Sequence, residues 1–344
     1  MRVGKQEGQG KGWAGWLNPF GSDLGVGGRV WRGALLLVVL YFICAPFVMW
    51  YEYNRAFPPF FDPTPPPGAP AESQQLQTPG IVFTSTLITL GENMLTAWLP
   101  NDVIYPSILM DNPQNFQLGE LEVLRYCTRV LRDKLSRQRT TDRIDRYADR
   151  AFTDFSNNPL LWIFPAAESK FADGVKSLQA YRQGLIKGTS HFYPRADNFI
   201  ELLDQLTSLL GGVDTRLANA PRDVGQRLSE ETAGDTTLQG ERRVKVAVPW
   251  TQIDDNFYFA RGVAYAMYEV MLATRWEFRD VIEIKRSREL VDTITDELKL
   301  ADFEPMLVLN GSRDSIFANH SLKLMATLES VRQKMTNLQQ MLER

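Results

Sequence analysis

The longest apolar run of the chain lies near its N-terminus. Residues 33–51, GALLLVVLYFICAPFVMWY, contain no charged side chain. A helix of this length extends about 28 Å, close to the hydrocarbon thickness of a bilayer. Arg32 and Glu52 bound the run. Trp31 stands at one end and Trp50, Tyr51 and Tyr53 at the other, as in the aromatic belts of membrane proteins. The pattern predicts one transmembrane helix over residues 33–51, with the lipid bilayer as its partner.

Basic residues around this run predict its orientation. Residues 1–32 contain five lysines or arginines and two acidic residues, whereas Arg55 is the only basic residue between the run and Arg125. The positive-inside rule therefore predicts that residues 1–32 form a cytoplasmic tail and that the rest of the chain faces the other side. A cleaved signal peptide is the alternative. It is disfavoured because the run starts late and ends in Met-Trp-Tyr, without a small-residue cleavage site.

Residues 52–79 form a proline-rich segment with eight prolines. Such a composition favours polyproline II, which makes a stiff spacer of about 3.1 Å per residue. We therefore expect a linker that holds a body away from the membrane. A docking motif for a proline-reading domain is the alternative.

Beyond this linker the apolar residues recur at spacings of three and four, the period of amphipathic helices. We expect one helical subdomain over residues 80–219 and another over residues 244–344, separated by a polar, glycine-punctuated loop at 220–243. Gly188 and the pair Gly211-Gly212 are predicted helix stops. The pattern leaves open whether the two helical parts are one domain or two. The predicted fold class is all-α, a single N-terminal transmembrane helix followed by a multi-helix bundle.

The last helix carries a seam of apolar residues at alternating spacings of four and three. This spacing is typical of a coiled coil, which can pair within the bundle or with a second copy of the chain. The seam consists of Leu324, Leu328, Val331, Met335, Leu338 and Leu342.

The composition offers few groups for metal or redox chemistry. The chain has two histidines, and Cys127 is the only cysteine outside the apolar run, so neither a histidine-rich zinc site nor a disulfide within the exported part is expected. Cys127 lies on the apolar stripe of its predicted helix, which indicates a buried thiol. The net charge of −3 argues against a nucleic-acid partner bound through bulk charge. No cofactor is predicted.

Five polar residues near predicted helix starts are the candidate site: Arg195, Asp197, Asp254, Asp255 and Arg261. Aspartate at such positions commonly caps exposed backbone N–H groups, which is the structural interpretation. The functional hypothesis is that these side chains converge into a cleft for a polar ligand.

Several segments together resemble an uncharacterised family of bacterial inner-membrane proteins, defined only as a domain of unknown function. They are the anchor with its proline-rich spacer, FTDFSNNPLLWIFPAAES, FYPRADNF, LLGGVDTRL, WTQIDDNFYFARG and the long stretch that begins LPNDVIYPSILMDNPQNF. The resemblance covers essentially the whole chain. It implies a location in the Gram-negative inner membrane, with a periplasmic body, and assigns no catalytic residues.

Three functional hypotheses remain at this point. The first is a non-enzymatic scaffold or regulator that binds other envelope proteins, favoured by the anchor, the spacer and the C-terminal seam. The second is an envelope hydrolase that acts on peptidoglycan through a carboxylate pair. The third is a module that binds a solute or a lipid.

Overall fold

The computed structural model describes residues 26–63, 78–102, 106–219, 224–227, 243–246, 253–305 and 319–344. Most of the predicted tail, the second half of the proline-rich segment and most of the polar loop 220–243 therefore lie outside the described residues. The chain divides into two compact units, residues 1–52 and residues 53–344. We refer to residues 53–344 as the body.

The first unit consists, in its described part, of a long apolar helix. Helix α1 runs from Val26 to Ala56 and contains the predicted span at 33–51. The side chains of this span are largely exposed, with Leu36 and Leu37 both 68% accessible. A stretch from Val30 to Ala56 is long and apolar enough to cross a membrane.

The described part of the body is helical apart from one short hairpin, so the predicted all-α class is confirmed. Its helices are α2 Ile81–Thr96, α3 Asp111–Val130, α4 Arg146–Phe155, α5 Ala167–Lys187, α6 Ala196–Asn219, α7 Ile253–Glu277, α8 Arg279–Ile284, α9 Arg288–Ala301 and α10 His320–Glu343. A 3-10 turn at Ser107–Leu109 precedes α3, and a π-helical turn at Leu131–Leu135 follows it. The strands β1 Val224–Arg227 and β2 Arg243–Val246 pair in antiparallel fashion.

Helix α7 is the central element of the body and packs against α2, α3, α6, α9 and α10. Its closest neighbour is α3, and two glycines allow the approach. A Cβ atom on Gly262 would lie 2.0 Å from the carbonyl oxygen of Phe116, and one on Gly119 would lie 2.2 Å from that of Phe259. Neither distance is compatible with a side chain, so the two backbones can touch only because glycine stands at both positions.

The two predicted helical parts share one core. Helix α3 of the range 80–219 packs on α7 of the range 244–344, and α6 packs on α10 in the same way. The sequence left open whether these two parts are one domain or two. In the structure both belong to a single compact unit, residues 53–344.

The C-terminal seam is used within the chain. All six of its apolar side chains are buried at 2% exposure or less, and α10 packs against α6, α7 and α9. Any self-association through α10 would have to use other faces of the helix.

One predicted helix stop is confirmed and the other is wrong. Helix α5 ends at Lys187, and Gly188 adopts the left-handed conformation with φ +70°, a common helix end. Helix α6, by contrast, continues through Gly211 and Gly212 to Asn219. Each internal glycine costs about 1 kcal/mol, and the burial of Val213 and Leu217 in the next turn offsets that cost.

The first half of the proline-rich segment is not a free spacer. Phe57, Phe60 and Phe61 pack against the core of the body. We call residues 57–63 the strap. The expectation of a spacer over residues 52–79 therefore fails for its described first half, because aromatic residues between the prolines give this stretch apolar surface to bury.

Candidate functional site

The structure does not bring the five candidate residues into one cleft. Arg195 and Asp197 lie at the start of α6, where Phe199 stacks on Phe278 just beyond the C-terminal end of α7, with 4.8 Å between ring centroids. Asp255 lies in the first turn of α7, 23 positions before Phe278. At 1.5 Å per residue this is about 35 Å along the helix. The cluster is therefore split between the two ends of α7.

Arg195 and Asp197 form an exposed pair at the surface. Their side chains are bonded to each other, and Nη1 of Arg195 donates to the carbonyl oxygen of Gln138 at 2.8 Å. A surface groove of about 580 Å³ lies beside them. Its charges are largely matched, since Lys134 also pairs with Glu201 at 3.1 Å. The groove therefore offers little net charge with which to select an ion.

Asp254 and Asp255 lie in the first turn of α7, close to Asp111 at the first turn of α3. Nδ2 of Asn115 donates to Oδ1 of Asp255 at 2.8 Å. Burial, reinforced by Asp111 and Asp254, raises the pKa of Asp255 to about 6. Burial also raises the pKa of Asp254, while backbone hydrogen bonds oppose the rise. These bonds agree with the helix-start interpretation for Asp254, whereas the hydrogen bond given for Asp255 comes from the side chain of Asn115.

Arg261 is a buried structural residue. Its Nε lies 2.6 Å from Oδ1 of Asp302, and its Nη1 lies 3.1 Å from Oε2 of Glu304. The guanidinium also lies 4.9 Å from the ring centroid of Phe57, within the range of a cation–π contact. Arg261 thus ties the start of the strap to α7 and to the segment that follows α9.

The strap follows α7 residue by residue and in the same direction. Phe57 contacts Tyr258, with 5.8 Å between ring centroids. The hydroxyl of Tyr265 donates to the carbonyl oxygen of Pro59 at 3.2 Å. One turn further along α7, the backbone N–H of Phe61 donates to Oε1 of Glu269 at 2.9 Å. Prolines favour such an extended path, and polar groups of α7 satisfy its backbone.

Two buried carboxyl groups, Glu269 on α7 and Glu120 on α3, lie near Tyr265. Burial, with a smaller contribution from Asp62, raises the pKa of Glu269 to about 8, although the N–H of Phe61 partly opposes the rise. Glu120 on α3 is completely buried, and burial together with the nearby Asp302 raises its pKa well above the usual range. Among the residues that the structure describes, neither side-chain oxygen of Glu120 has a hydrogen-bond partner. Burial without a hydrogen-bond partner therefore favours the neutral acid of Glu120 over its charged form.

A third buried carboxylate stabilises the start of α2. Glu277, the last residue of α7, accepts hydrogen bonds from the backbone N–H groups of Gly80 and Val82, both at 2.8 Å, and of Phe83 at 3.2 Å. The start of α2 has no side-chain cap of its own. A carboxylate at a helix N-terminus satisfies free donors and complements the helix dipole. Together with the hydrogen bond between Tyr265 and Asn93, this contact shows that α2 runs antiparallel to α7.

One exposed apolar feature of the body was missed by the sequence reasoning. Residues Leu160–Phe164, which we call the apolar loop, expose five consecutive large apolar side chains, with Phe164 accessible to 96%. Pro159 and Pro165 flank this run. Periodicity does not distinguish such a short apolar run from a buried strand. The flanking prolines were therefore the sequence feature that indicated a loop.

The other groups that could carry out chemistry or bind a metal also occupy structural positions. Cys127 is buried, as the sequence predicted, and burial raises the pKa of its thiol. Within the described ranges no group of three or more histidine, cysteine, aspartate or glutamate side chains is placed to hold a metal ion. Asp214 on α6 and Glu329 on α10 both face Arg332. The pKa of Asp214 is raised, first by burial and then by Glu329. Asp214, Glu329 and Arg332 thus form an ionic contact between α6 and α10.

Comparison with known proteins gives one match. A family model described as an uncharacterized protein conserved in bacteria matches residues 25–344, which include the apolar helix and the whole body. No curated protein and no solved structure matches the chain at a significant level. The family match agrees with the resemblance seen in the sequence.

Proposed function

Since this chain belongs to DUF2333, a family of uncharacterized proteins conserved in bacteria, we propose that it is a membrane-anchored scaffold or regulator of the cell envelope without a catalytic role. Residues 33–51 cross the inner membrane once, residues 1–32 face the cytoplasm and the body lies in the periplasm. Other envelope proteins are its partners.

The observation that carries this proposal is the strap. Only a few residues separate the apolar run, which ends at Tyr51, from Phe57, which packs on the core. Tyr53 in the last turn of α1 donates a hydrogen bond to Glu304 of the body, and Ala56 is buried. A segment that contributes directly to the folded body is suited to a permanent anchor, because cleavage within or after it would remove part of the fold.

The distribution of polar groups supports a role in binding rather than in catalysis. The carboxyl groups with raised pKa values that lie deepest, Glu120, Glu269 and Glu277, face other parts of the same chain. The most exposed apolar surface of the described body is the apolar loop, and a surface of this kind is typical of sites that contact either a protein or a membrane.

Topology is tested with two reporters fused after Arg344. An alkaline phosphatase fusion should be active and a matched green fluorescent protein fusion should be dark, because the first needs the periplasm and the second needs the cytoplasm. An N-terminal epitope that stays on the full-length membrane-bound chain is expected for an uncleaved anchor. The opposite reporter pattern, or loss of the epitope by cleavage, would overturn the proposal.

The scaffold role is tested by in-membrane cross-linking of the full chain followed by capture and identification of the partners. Specific envelope proteins should be recovered repeatedly, and their absence would contradict the role. As a control for the hydrolase hypothesis, the purified full chain is incubated with peptidoglycan. Release of soluble fragments above the level of a boiled sample would show catalysis and contradict the proposal.

A further inference from the structure

We propose that the apolar loop Leu160–Phe164 inserts into the interface of the same bilayer that α1 crosses, as a second membrane contact of the body. This inference rests on the proposed function, since it requires the chain to be anchored in a membrane. It adds a lipid-binding site that neither the family match nor the anchor provides.

The loop is presented to solvent by a fixed stem. The carbonyl oxygen of Leu161 accepts hydrogen bonds from Nδ2 of Asn101 at 2.9 Å and from the backbone N–H of Ala167 at 2.7 Å. The N–H of Leu160 donates to Oδ1 of Asn158 at 3.0 Å. Because the backbone is held at its base, the apolar side chains are kept exposed and do not fold back onto the core.

Two contacts place the apolar loop near the end of the body where the chain begins. Arg55 donates to the carbonyl oxygen of Thr96 at the end of α2, and Asn101, five residues later, holds Leu161. Five residues span at most about 18 Å even when fully extended. The loop therefore lies close to the point at which the body continues from the apolar run.

The orientation of α7 gives the same location. Phe57 packs on Tyr258 in the N-terminal part of α7, and Glu277 at its other end holds the start of α2. Asn93, near the other end of α2, forms a hydrogen bond with Tyr265 in the middle of α7. The C-terminal end of α2, with Thr96, therefore lies towards the N-terminal part of α7. The first residues of the body and the apolar loop both belong to this end of the molecule.

The chemistry of the loop favours a lipid interface as its occupant. Residues 156–167 contain no charged side chain, and Leu, Trp, Ile and Phe form the tip, a composition typical of segments that enter the headgroup region. The tip consists of only five residues, whereas a stable protein interface uses about 20–30 residues on each side. A tethered body meets the bilayer at high effective concentration, so a small contact is sufficient.

The test places a fluorescent probe on the full chain in nanodiscs of phosphatidylethanolamine and phosphatidylglycerol. Phe164→Cys, in a Cys44→Ser background, is labelled with an environment-sensitive dye. Its side chain is almost fully exposed, so folding should be unaffected, and circular dichroism checks this. Trp162→Cys is a second, independent site. Ile284→Cys is the matched control, an apolar residue 78% exposed beyond the opposite end of α7.

The proposal expects strong quenching of the probes at 162 and 164 by lipids with a spin label near the headgroup, and weak quenching by aqueous iodide. The probe at 284 should show the reverse. Equal iodide quenching at all three sites overturns the proposal, and so does shielding from both quenchers, which would indicate a protein contact. A probe on the native Cys44 separates the two proposals. If lipids with a deep spin label do not quench it, the anchor itself is wrong, whatever the loop does.

Discussion

At the scale of single residues, the most informative group is the carboxyl of Glu269 beneath the strap. It accepts one hydrogen bond from the backbone of Phe61, and its second oxygen has no partner among the described residues. Burial is the largest cause of its raised pKa. A proton therefore stabilises the folded form, and deprotonation introduces a poorly compensated buried charge.

Replacement of Glu269 by Gln should alter the pH dependence of stability. The pKa of Glu269 is raised from 4.5 to about 8 in the folded chain, so its stabilising contribution is complete below pH 4.5 and is lost as the pH rises through 8. Glu269→Gln has no such loss and should be more stable than the wild type at pH 9 by several kcal/mol, because each unit of pKa shift corresponds to about 1.4 kcal/mol. Denaturant unfolding in detergent at pH 5, 7 and 9 measures this difference.

The exposed Glu283 provides the control for that experiment. Glu283→Gln removes the same charge from the surface of α8 and should keep the wild-type pH profile. Parallel profiles for wild type and Glu269→Gln would mean that Glu269 is hydrated in the folded chain.

At the scale of elements, the contact between α3 and α7 depends on glycine. Gly262→Ala would place its Cβ 2.0 Å from the carbonyl oxygen of Phe116. Because backbone atoms cannot yield without separating the helices, we expect a loss of about 3 kcal/mol or more in the free energy of unfolding. Denaturant midpoints of the purified variants measure it.

Gly211→Ala is the matched control within helix α6. No atom lies within 4 Å of a Cβ built at that position, so the alanine should stabilise the chain by up to about 1 kcal/mol through its higher helix propensity. If both alanine variants behave alike, close packing at Gly262 is not the reason for its glycine.

The strap is tested by the same substitution at a buried and at an exposed phenylalanine. Phe60 stacks on Tyr265 and packs edge-on against Tyr268. Phe60→Ala should cost about 2 kcal/mol and should increase protease cleavage within residues 57–63, because the strap loses its main apolar contact. Limited proteolysis with mass spectrometry reads out the cleavage site.

Phe164→Ala controls for the loss of a phenyl ring as such. The Phe164 side chain is almost fully exposed, so its removal should leave both the stability and the cleavage pattern of the strap unchanged. Equal protease resistance of wild type and Phe60→Ala would argue that the strap is not held by its aromatic contacts.

Element boundaries could be predicted from the sequence where local chemistry decides them. Gly188 ends α5 because its backbone needs a left-handed conformation, which glycine adopts without a steric cost. Gly211 and Gly212 carry the same local signal, yet α6 continues past them. The strap is a similar case. Its prolines predict an extended backbone, but they do not predict that this backbone packs on α7.

At the scale of the whole molecule, the C-terminal seam distinguishes a folded monomer from an oligomer. Leu328 of the seam is completely buried within the chain. Leu328→Asp should therefore abolish folding, since it buries a charge without a partner. Circular dichroism and size-exclusion chromatography with light scattering measure folding and mass.

Leu322→Asp is the control on the same helix, because Leu322 is exposed, and it should fold normally. A well-folded Leu328→Asp variant with half the mass of the wild type would contradict the intramolecular role of the seam. It would support the alternative that α10 pairs with a second copy.

The sequence by itself determined the helical class, the apolar helix near the N-terminus, the burial of Cys127 and the apolar face of α10, because each follows from spacing or composition within one segment. It proposed Arg195, Asp197, Asp254, Asp255 and Arg261 as one cluster. Only the tertiary structure could assign these residues to opposite ends of α7 and make Arg261 a buried partner of Asp302. Local patterns specify what a segment can bury, but the choice of partner depends on contacts between segments far apart in the chain. Such long-range contacts determine the single core, the packing of the strap on α7 and the exposure of the apolar loop.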